Sequence, residues 1–182
     1  YTTSGFQIFD ISTSTPSLVS SLGIAGQDVY VSGRYAYIAD TTLRIADISN
    51  PSTPVVVGSI VVSSGNTFSV YVSGRYAYVT ASEDSLLKIV DISNPSSPVS
   101  VSSVSTGLPA RSVYVSGKYA YVTTNSSVSG NEFRIYDVSN PVSPVEVGGV
   151  DLGADGYDVN VSGRYAYVVK TDLGITEDFI IY

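Results

Sequence analysis

Carboxylates are the side chains best suited to chemistry in this sequence, and they gather near its C-terminal end. The acidic residues there are Asp151, Asp155 and Asp158 within DLGADGYD, followed by Asp172, Glu177 and Asp178. Ca²⁺ takes about six to eight oxygen ligands, which carboxylates supply. Because the spacing differs from that of an EF-hand loop, the alternative is that these are solvated loop carboxylates. The sequence thus predicts no cofactor, and calcium at Asp151, Asp155 and Asp158 is the one candidate metal that it offers.

Two asparagines lie in N-glycosylation sequons. They are Asn125 in Asn-Ser-Ser and Asn160 in Asn-Val-Ser. We expect Asn125 to lie in a long exposed loop. Asn160 takes a strand position that other parts of the chain give to Tyr, so we expect it to be hidden. Chance occurrence is the alternative for both sequons, and glycans therefore enter as candidate partners.

The composition disfavours most catalytic chemistry. The chain of 182 residues has no Cys, His, Met or Trp, so it lacks a thiolate nucleophile, the commonest general base and the usual ligands of transition metals. We find no phosphate-binding loop and no Ser/His/Asp set. A carboxylate pair for glycoside hydrolysis is open in principle, but nothing in the sequence singles out any two. We therefore expect a protein that is not an enzyme.

The charge of the chain indicates its setting and its partners. The net charge is −7, with only nine basic residues, and this excess disfavours nucleic acid and anionic membrane surfaces. No apolar run reaches the roughly 18 residues that span a membrane. The acidic, hydroxyl-rich composition favours an extracellular or cell-surface location.

One unit repeats about four times along the chain. Its cores are VYVSGRYAYI, VYVSGRYAYV, VYVSGKYAYV and VNVSGRYAYV, at residues 29–38, 70–79, 113–122 and 159–168. A second motif, of the form IVDISNP, recurs at 45–51, 89–95 and 135–141. A period of this length with only β-strand signals is typical of a β-propeller.

Each unit divides into four short strands. In the second unit we predict strands at 69–72, 75–80, 87–91 and 99–104. The predicted hairpin turn is Ser73-Gly74, where Gly supplies a positive φ. Val, Ile, Tyr and Thr dominate the strands, and no segment has the helical period. The predicted fold is all-β, with four-stranded blades.

The combination of VYVSGRYAYV with LKIVDISNPSSPV resembles the LVIVD-type repeat of β-propeller proteins. The resemblance covers essentially residues 1–182 as one repeat array of about four blades. It implies that the VYVSG strand lies innermost and that the strand after the Asn-Pro turn lies outermost. The family occurs largely in surface or secreted proteins of bacteria and archaea, so the resemblance implies a fold and says little about activity.

Several residues recur once in every unit. The tyrosine pairs 35/37, 76/78, 119/121 and 165/167 are predicted to pack between blades, with an aromatic ladder for sugars as the alternative. Each unit also has a basic residue after the hairpin turn and an Asp that closes the third strand. These residues are predicted to form ion pairs: Arg34, Arg75, Lys118 and Arg164 with Asp47, Asp91 and Asp137.

The segments that differ between units are where function is expected, because propellers bind through variable loops. Loops before the inner strand and between the second and third strands are predicted to share one rim. They are 63–68, 82–85, 105–111, 125–132, 151–157 and 170–178. A ligand or partner is expected to meet this rim.

The order of strands suggests an open array. The chain begins with third and fourth strands at 6–10 and 17–21, and ends with first, second and third strands. We expect part of a longer propeller. The alternative is a closed four-bladed unit whose surplus strand pairs with a neighbouring copy. In either case strand edges favour association.

The predicted function is that of a non-catalytic, extracellular or cell-surface module for structure or protein interaction. A self-assembling fibre or coat subunit is one form of this prediction. The alternative is a carbohydrate- or calcium-dependent adhesive binding module.

Overall fold

A computed structural model describes residues 5–125, 130–171 and 179–181. The described residues form strands, turns and loops, and contain no helix. None of them therefore belongs to a helix that could cross a membrane. The strands, in chain order, are β1 Phe6–Asp10, β2 Ser17–Leu22, β3 Asp28–Ser32, β4 Tyr35–Ala39, β5 Thr42–Asp47, β6 Val55–Val61, β7 Thr67–Ser73, β8 Tyr76–Ala81, β9 Leu86–Asp91, β10 Val99–Ser105, β11 Ala110–Ser116, β12 Tyr119–Thr124, β13 Phe133–Asp137, β14 Val145–Val150, β15 Gly156–Ser162, β16 Tyr165–Lys170 and β17 Phe179–Ile181.

The strands form antiparallel blades in which sequence neighbours pair. Blade 1 has the order β3-β4-β5-β6, blade 2 has β7-β8-β9-β10, and blade 3 has β11-β12-β13-β14. A two-stranded sheet, β1-β2, precedes them, and a three-stranded sheet, β15-β16-β17, follows. The predicted all-β architecture of four-stranded blades is confirmed.

The first strand of each blade lies innermost. Strands β3, β7, β11 and β15 contact one another in succession. The rings of Tyr30, Tyr71 and Tyr114 lie along this line, with centroids 4.8 Å apart at each step. These contacts place the VYVSG strands at the centre of the array, as the resemblance implies.

Apolar side chains fill the space between successive blades. Because strand residues alternate between two faces, each blade presents one set to the preceding blade and another to the following blade. Between blades 1 and 2, Tyr37, Leu43 and Ile45 of the first pack with Val70 and Val79 of the second. The predicted role of the paired tyrosines in packing between blades is confirmed here.

The inner hairpin turn differs from the prediction by one residue. Ser73 pairs with Tyr76, so the two loop residues are Gly74 and Arg75 rather than Ser73 and Gly74. Gly74 has φ +59°, while Arg75 has no positive φ. This is the pattern of a type II′ turn, which needs Gly at its first loop position.

The turn between the third and fourth strands docks on the preceding blade. Ser102 Oγ of blade 2 donates a hydrogen bond of 2.6 Å to the carbonyl of Pro141 in blade 3. Between blades 1 and 2, a Cβ on Gly58 would lie 2.0 Å from the carbonyl oxygen of Pro95. The outer strand of each blade thus lies close enough to the Asn-Pro turn of the next blade for backbone contact. This contact stabilises the stacking of the blades.

Candidate functional site on the loop rim

The array has two rims with different sequence content. The turn rim is defined by the Gly-Arg and Gly-Lys hairpin turns at 33–34, 74–75, 117–118 and 163–164. The loop rim is defined by the segments before each inner strand and those between the second and third strands. Contacts between these segments confirm that they share a rim. Ser64 Oγ donates to Asp84 Oδ1 at 2.5 Å, and the Asn125 amide donates to the Pro109 carbonyl at 2.8 Å.

The turn rim repeats one ion pair within each complete blade. Arg34 pairs with Asp47, Arg75 with Asp91 at 2.8 Å, and Lys118 with Asp137 at 3.3 Å. The basic residues also lie over the ring that follows them, with Arg75 5.1 Å from the Tyr76 centroid. Three of the predicted ion pairs therefore form, and each lies within one blade. Arg164 lies over the ring of Tyr165, 5.2 Å from its centroid.

Hydrogen bonds set the charge state of these aspartates. Ser93 holds the pKa of Asp91 below its usual range, and Arg75 lowers it further. Arg34 lowers the pKa of Asp47 strongly. The carboxylates also accept main-chain N–H groups, as Asp91 does from Ser93 at 2.8 Å. The turn rim is thus a repeated structural device.

The loop rim carries an open cavity of about 280 Å³, which we call the rim cavity. It lies where the inner strands begin. Its lining comes from all four inner strands and consists of Gln27, Asp28, Phe68, Ser69, Arg111, Ser112, Tyr157 and Asp158. These are equivalent pairs of positions in the four repeats. The cavity is therefore built by the array as a whole.

Arg111 lies between two aromatic rings in this cavity. Its guanidinium carbon is 4.6 Å from the centroid of Phe68 and 4.9 Å from that of Tyr157. Its Nε donates a hydrogen bond of 2.6 Å to Asn125 Oδ1. Cation–π contacts on both faces and this bond hold the guanidinium in one orientation. The blades before and after thus supply the rings that fix a cation contributed by blade 3.

Carboxylates also line the rim cavity, and they connect the inner strands. Asp28 accepts N–H groups from Val29 at 2.8 Å and from Val70 of the next blade at 2.9 Å. Asp158 Oδ1 accepts from Ser112 Oγ of the preceding blade at 2.7 Å and from the Val159 amide at 2.9 Å. The rim cavity can therefore offer a partner both positive and negative charge beside aromatic surface.

The predicted calcium residues do not form a cluster. Among the described residues, no three acidic side chains are grouped closely enough to hold a metal ion. Asp151 Oδ1 accepts the Gly153 amide at 2.7 Å, and Asp158 lines the rim cavity. Asp172, Glu177 and Asp178 lie outside the described residues. The calcium site at Asp151, Asp155 and Asp158 stays a prediction.

The two sequon asparagines lie in settings other than those expected. Asn125 is half-buried and accepts a hydrogen bond from Arg111. Ser127, the third residue of its sequon, lies outside the described residues. Asn160 was expected to be hidden, and this was wrong, because it is exposed. Asn160 lies at the strand position equivalent to Tyr30, Tyr71 and Tyr114, whose rings contact one another between neighbouring inner strands. Glycosylation at either asparagine stays a prediction.

The convergence of side chains on Arg111 was not predicted from the sequence. Its signal was present, because aligning the repeats on their VYVSG cores places Gln27, Phe68, Arg111 and Tyr157 at one equivalent position. Four different side chains stand there, immediately beside strands that are almost identical. Variation at a position beside nearly identical strands marks a surface that packing does not determine.

Comparison with protein families gives one match, which covers most of the chain. The family model described as the LVIVD repeat matches residues 22–62, 64–106, 109–152 and 153–176. These four segments correspond to blades 1 to 3 and to the sheet that begins with β15. No curated protein sequence matches this chain.

Solved structures with the same architecture are similar in fold at low sequence identity. The β-propeller domain of Myceliophteria thermophila Cps50 (Swd1) is 13% identical with a TM-score of 0.70, over 90% of this chain and 59% of that one. Hydrazine synthase of Kuenenia stuttgartiensis is 18% identical with a TM-score of 0.66, over 82% and 43%. The designed Ika4 protein is 11% identical with a TM-score of 0.68, over 87% and 90%. This chain thus spans about half the length of the two natural proteins.

Proposed function

This chain belongs to the LVIVD repeat family, and we propose that it is a non-catalytic, extracellular or cell-surface β-propeller module that binds another protein through the loop rim. The β-propeller repeat fold is compatible with a structural or protein-interaction role in general. One observation carries the proposal. Gln27, Phe68, Arg111 and Tyr157 differ at a single equivalent position, and their side chains line one cavity.

The chemistry of the rim cavity favours a protein partner. Aromatic residues and Arg are enriched at the centres of protein interfaces, where truncation costs most binding energy. Arg111 is held in a fixed orientation by Phe68 and Tyr157, so little side-chain entropy is lost when a partner contacts it. A cavity of about 280 Å³ accommodates a side chain or two of a docked surface.

A matched pair of variants tests the proposed binding surface. Arg111→Ala removes a stacked Arg from the loop rim, and Arg75→Ala removes a stacked Arg from the turn rim. Immobilised chain would be exposed to secreted and surface proteins of the source organism. We expect a retained protein that is lost with Arg111→Ala and kept with Arg75→Ala. Equal retention by both variants would refute the loop rim as the binding surface.

The same two variants test the carbohydrate alternative on a glycan array. Tyr157 is exposed beside the carboxylate of Asp158, and an aromatic face next to a hydrogen-bond acceptor suits a sugar. Glycan binding that depends on Arg111 but not on Arg75 would identify an adhesive module for carbohydrates. The expected result is no such binding.

The proposed location has its own test. An antibody against the chain should detect it in the medium or on intact cells, and external protease should remove the surface signal. Detection confined to the cytoplasmic fraction would refute the extracellular or cell-surface assignment.

We also propose a structural role, in which copies associate as a fibre or coat. Val29 and Val31 are exposed on the face of blade 1 that points away from blade 2. The apolar surface that they form favours association. Sedimentation velocity over a range of concentrations tests this role. Larger species should grow with concentration, and a monomer at every concentration would exclude it.

A further inference from the structure

Arg111 differs from the stacked basic residues of the turn rim in its lack of a carboxylate partner. In the complete blades Arg34, Arg75 and Lys118 each lie over one ring and pair with an aspartate of their own blade. Arg111 lies between two rings, and none of the ion pairs among the described residues involves it. Within that part of the chain, its positive charge is matched by no carboxylate.

The surroundings of Arg111 leave the end of its guanidinium open to an outside group. Phe68 and Tyr157 lie 4.6 and 4.9 Å from the guanidinium carbon, and Nε donates to Asn125 Oδ1 at 2.6 Å. A guanidinium has five N–H donors in one plane, so the four on Nη1 and Nη2 remain for other acceptors. The Asn125 amide donates to the Pro109 carbonyl at 2.8 Å. This second bond holds Asn125 in place, and Asn125 orients the guanidinium.

The two aspartates of the rim cavity are engaged elsewhere. Both oxygens of Asp28 accept main-chain N–H groups, at 2.8 and 2.9 Å. Asp158 Oδ1 accepts from Ser112 Oγ at 2.7 Å. These carboxylates therefore join inner strands to one another, and neither pairs with Arg111 in the cavity that they share with it.

We propose that Arg111 binds the carboxylate of an Asp or Glu side chain of the partner protein. A carboxylate and the end of a guanidinium are both planar, and they match in two parallel hydrogen bonds. The rim cavity, of about 280 Å³, has room for one such side chain beside the rings of Phe68 and Tyr157. The inference rests on the proposed function and names the group that the partner contributes.

The aspartates of the cavity restrict which anions can bind there. Arg111 stays positively charged in a protein, and it shares the cavity with two groups of opposite formal charge, Asp28 and Asp158. A phosphate group carries nearly two negative charges, so at a given distance the aspartates repel it about twice as strongly as they repel one carboxylate. A single carboxylate in direct contact with Arg111 is therefore the favoured anion.

Side-chain NMR with two matched probes tests this contact. N-acetyl-glutamate amide presents the carboxylate, and N-acetyl-glutamine amide has nearly the same shape without the charge. Because the chain has six arginines, each Nε–Hε signal can be followed, and Arg111→Lys identifies the signal of Arg111. We expect that signal to shift saturably with the glutamate probe alone. The signal of Arg75, which is paired with Asp91, should not shift.

Two conservative variants separate the shape of the guanidinium from its charge. Arg111→Lys keeps the positive charge and loses the two parallel donors. Asn125→Asp keeps an acceptor for Nε and places a competing carboxylate beside it. Each should weaken binding of the glutamate probe about tenfold or more, because hydrogen bonds to charged groups change affinity on the order of ten- to a hundredfold.

Arg75→Lys is the matched control, and it should bind the glutamate probe as the wild type does. The Ser112 amide signal follows binding in all three variants, and far-ultraviolet circular dichroism checks that they are folded. Equal shifts with both probes would overturn the carboxylate contact. Binding that is unchanged in Arg111→Lys and Asn125→Asp would also overturn it.

Competition distinguishes a failure of this contact from a failure of the proposed function. A protein that the immobilised chain retains through Arg111 should be released by the glutamate probe and not by the glutamine probe. Release by neither probe would overturn the carboxylate contact while the protein-binding function stands. If the glutamate probe binds at Arg111 but no protein is retained, the protein partner is overturned. Tighter binding of D-glucuronate than of the glutamate probe would also overturn it, in favour of an acidic sugar.

Discussion

Each rim of this propeller contains an Arg that lies over an aromatic ring, but the two arginines have different roles. On the turn rim, Arg75 lies over Tyr76 and pairs with Asp91, and this arrangement recurs in each complete blade. On the loop rim, Arg111 lies between Phe68 and Tyr157, and no other blade repeats it among the described residues. Arg75 is part of the repeat, whereas the position of Arg111 depends on contacts between three successive blades.

The difference distinguishes positions that are needed for folding from positions that can acquire a function. A side chain that recurs in every repeat is explained by packing within and between blades. A side chain that appears once, at a position where the others differ, is not needed by the repeat. Substitutions on the two rims should therefore differ in their effects.

The largest effect is expected at a turn-rim glycine. Gly74→Val should lower the free energy of unfolding by more than about 1 kcal/mol, because a β-branched residue is strained at φ +59°. Gly23→Val is the matched control, since a Cβ there meets nothing within 4 Å and its φ is not left-handed. Thermal or denaturant unfolding measures both. A neutral Gly74→Val would show that the turn does not require Gly.

An intermediate effect is expected when the two stacked arginines are compared. Arg111→Ala should destabilise by about 1 kcal/mol, because it removes two partly exposed cation–π contacts and a hydrogen bond. Arg75→Ala should cost less than Arg111→Ala, since the Arg75 side chain is 62% exposed and an exposed ion pair contributes little. Urea unfolding of both variants gives the comparison. The reverse order would mean that the turn rim contributes more to stability than the rim cavity does.

A smaller effect should appear on acidification, and the turn-rim aspartates should contribute to it. The pKa values of Asp47, Asp91 and Asp137 are lowered in the fold. Their contribution to stability is therefore present above the ordinary carboxyl pKa and is lost as pH falls through the folded pKa values.

Melting temperature as a function of pH below about 5 measures this loss. Asp91→Asn should flatten the profile, because one of the three carboxylates no longer titrates. Profiles of the same shape for the variant and the wild type would exclude a role for this carboxylate in the acid response.

The smallest effect is expected from calcium. The carboxylates of Asp151 and Asp158 already accept hydrogen bonds, and no three described acidic side chains are grouped. We therefore expect millimolar calcium, or its chelation, to leave the melting temperature unchanged. A rise with added calcium would support the predicted site at Asp151, Asp155 and Asp158, because a ligand that binds the native state stabilises it.

The blades could be predicted from the sequence because their strands pair with their sequence neighbours. Alternation of apolar residues, Gly in the hairpin and Asn-Pro after the third strand each act over a few residues. The turn was misplaced by one residue, because Ser73 and Arg75 flank Gly74 and the sequence did not show which of them pairs with Tyr76.

The rim cavity was harder to predict because it depends on contacts between repeats. Phe68, Arg111 and Tyr157 are about 45 residues apart in succession, and their convergence follows from blade stacking. Asn160 shows the opposite failure. Its strand position implied burial by analogy with Tyr71, but the face that carries it is exposed.

The line of inner-strand tyrosines gives the molecule an optical signature. Tyr71 lies with its ring 4.8 Å from both Tyr30 and Tyr114, at interplanar angles of 54° and 51°. Rings held this close at fixed angles couple their electronic transitions, and the chain has no Trp to mask them. Burial, together with Tyr114 and Tyr30, raises the pKa of the Tyr71 hydroxyl, so the ring stays neutral well into the alkaline range. These three of the chain's 15 tyrosines should therefore add a near-ultraviolet circular dichroism signal that depends on the spacing of three successive blades.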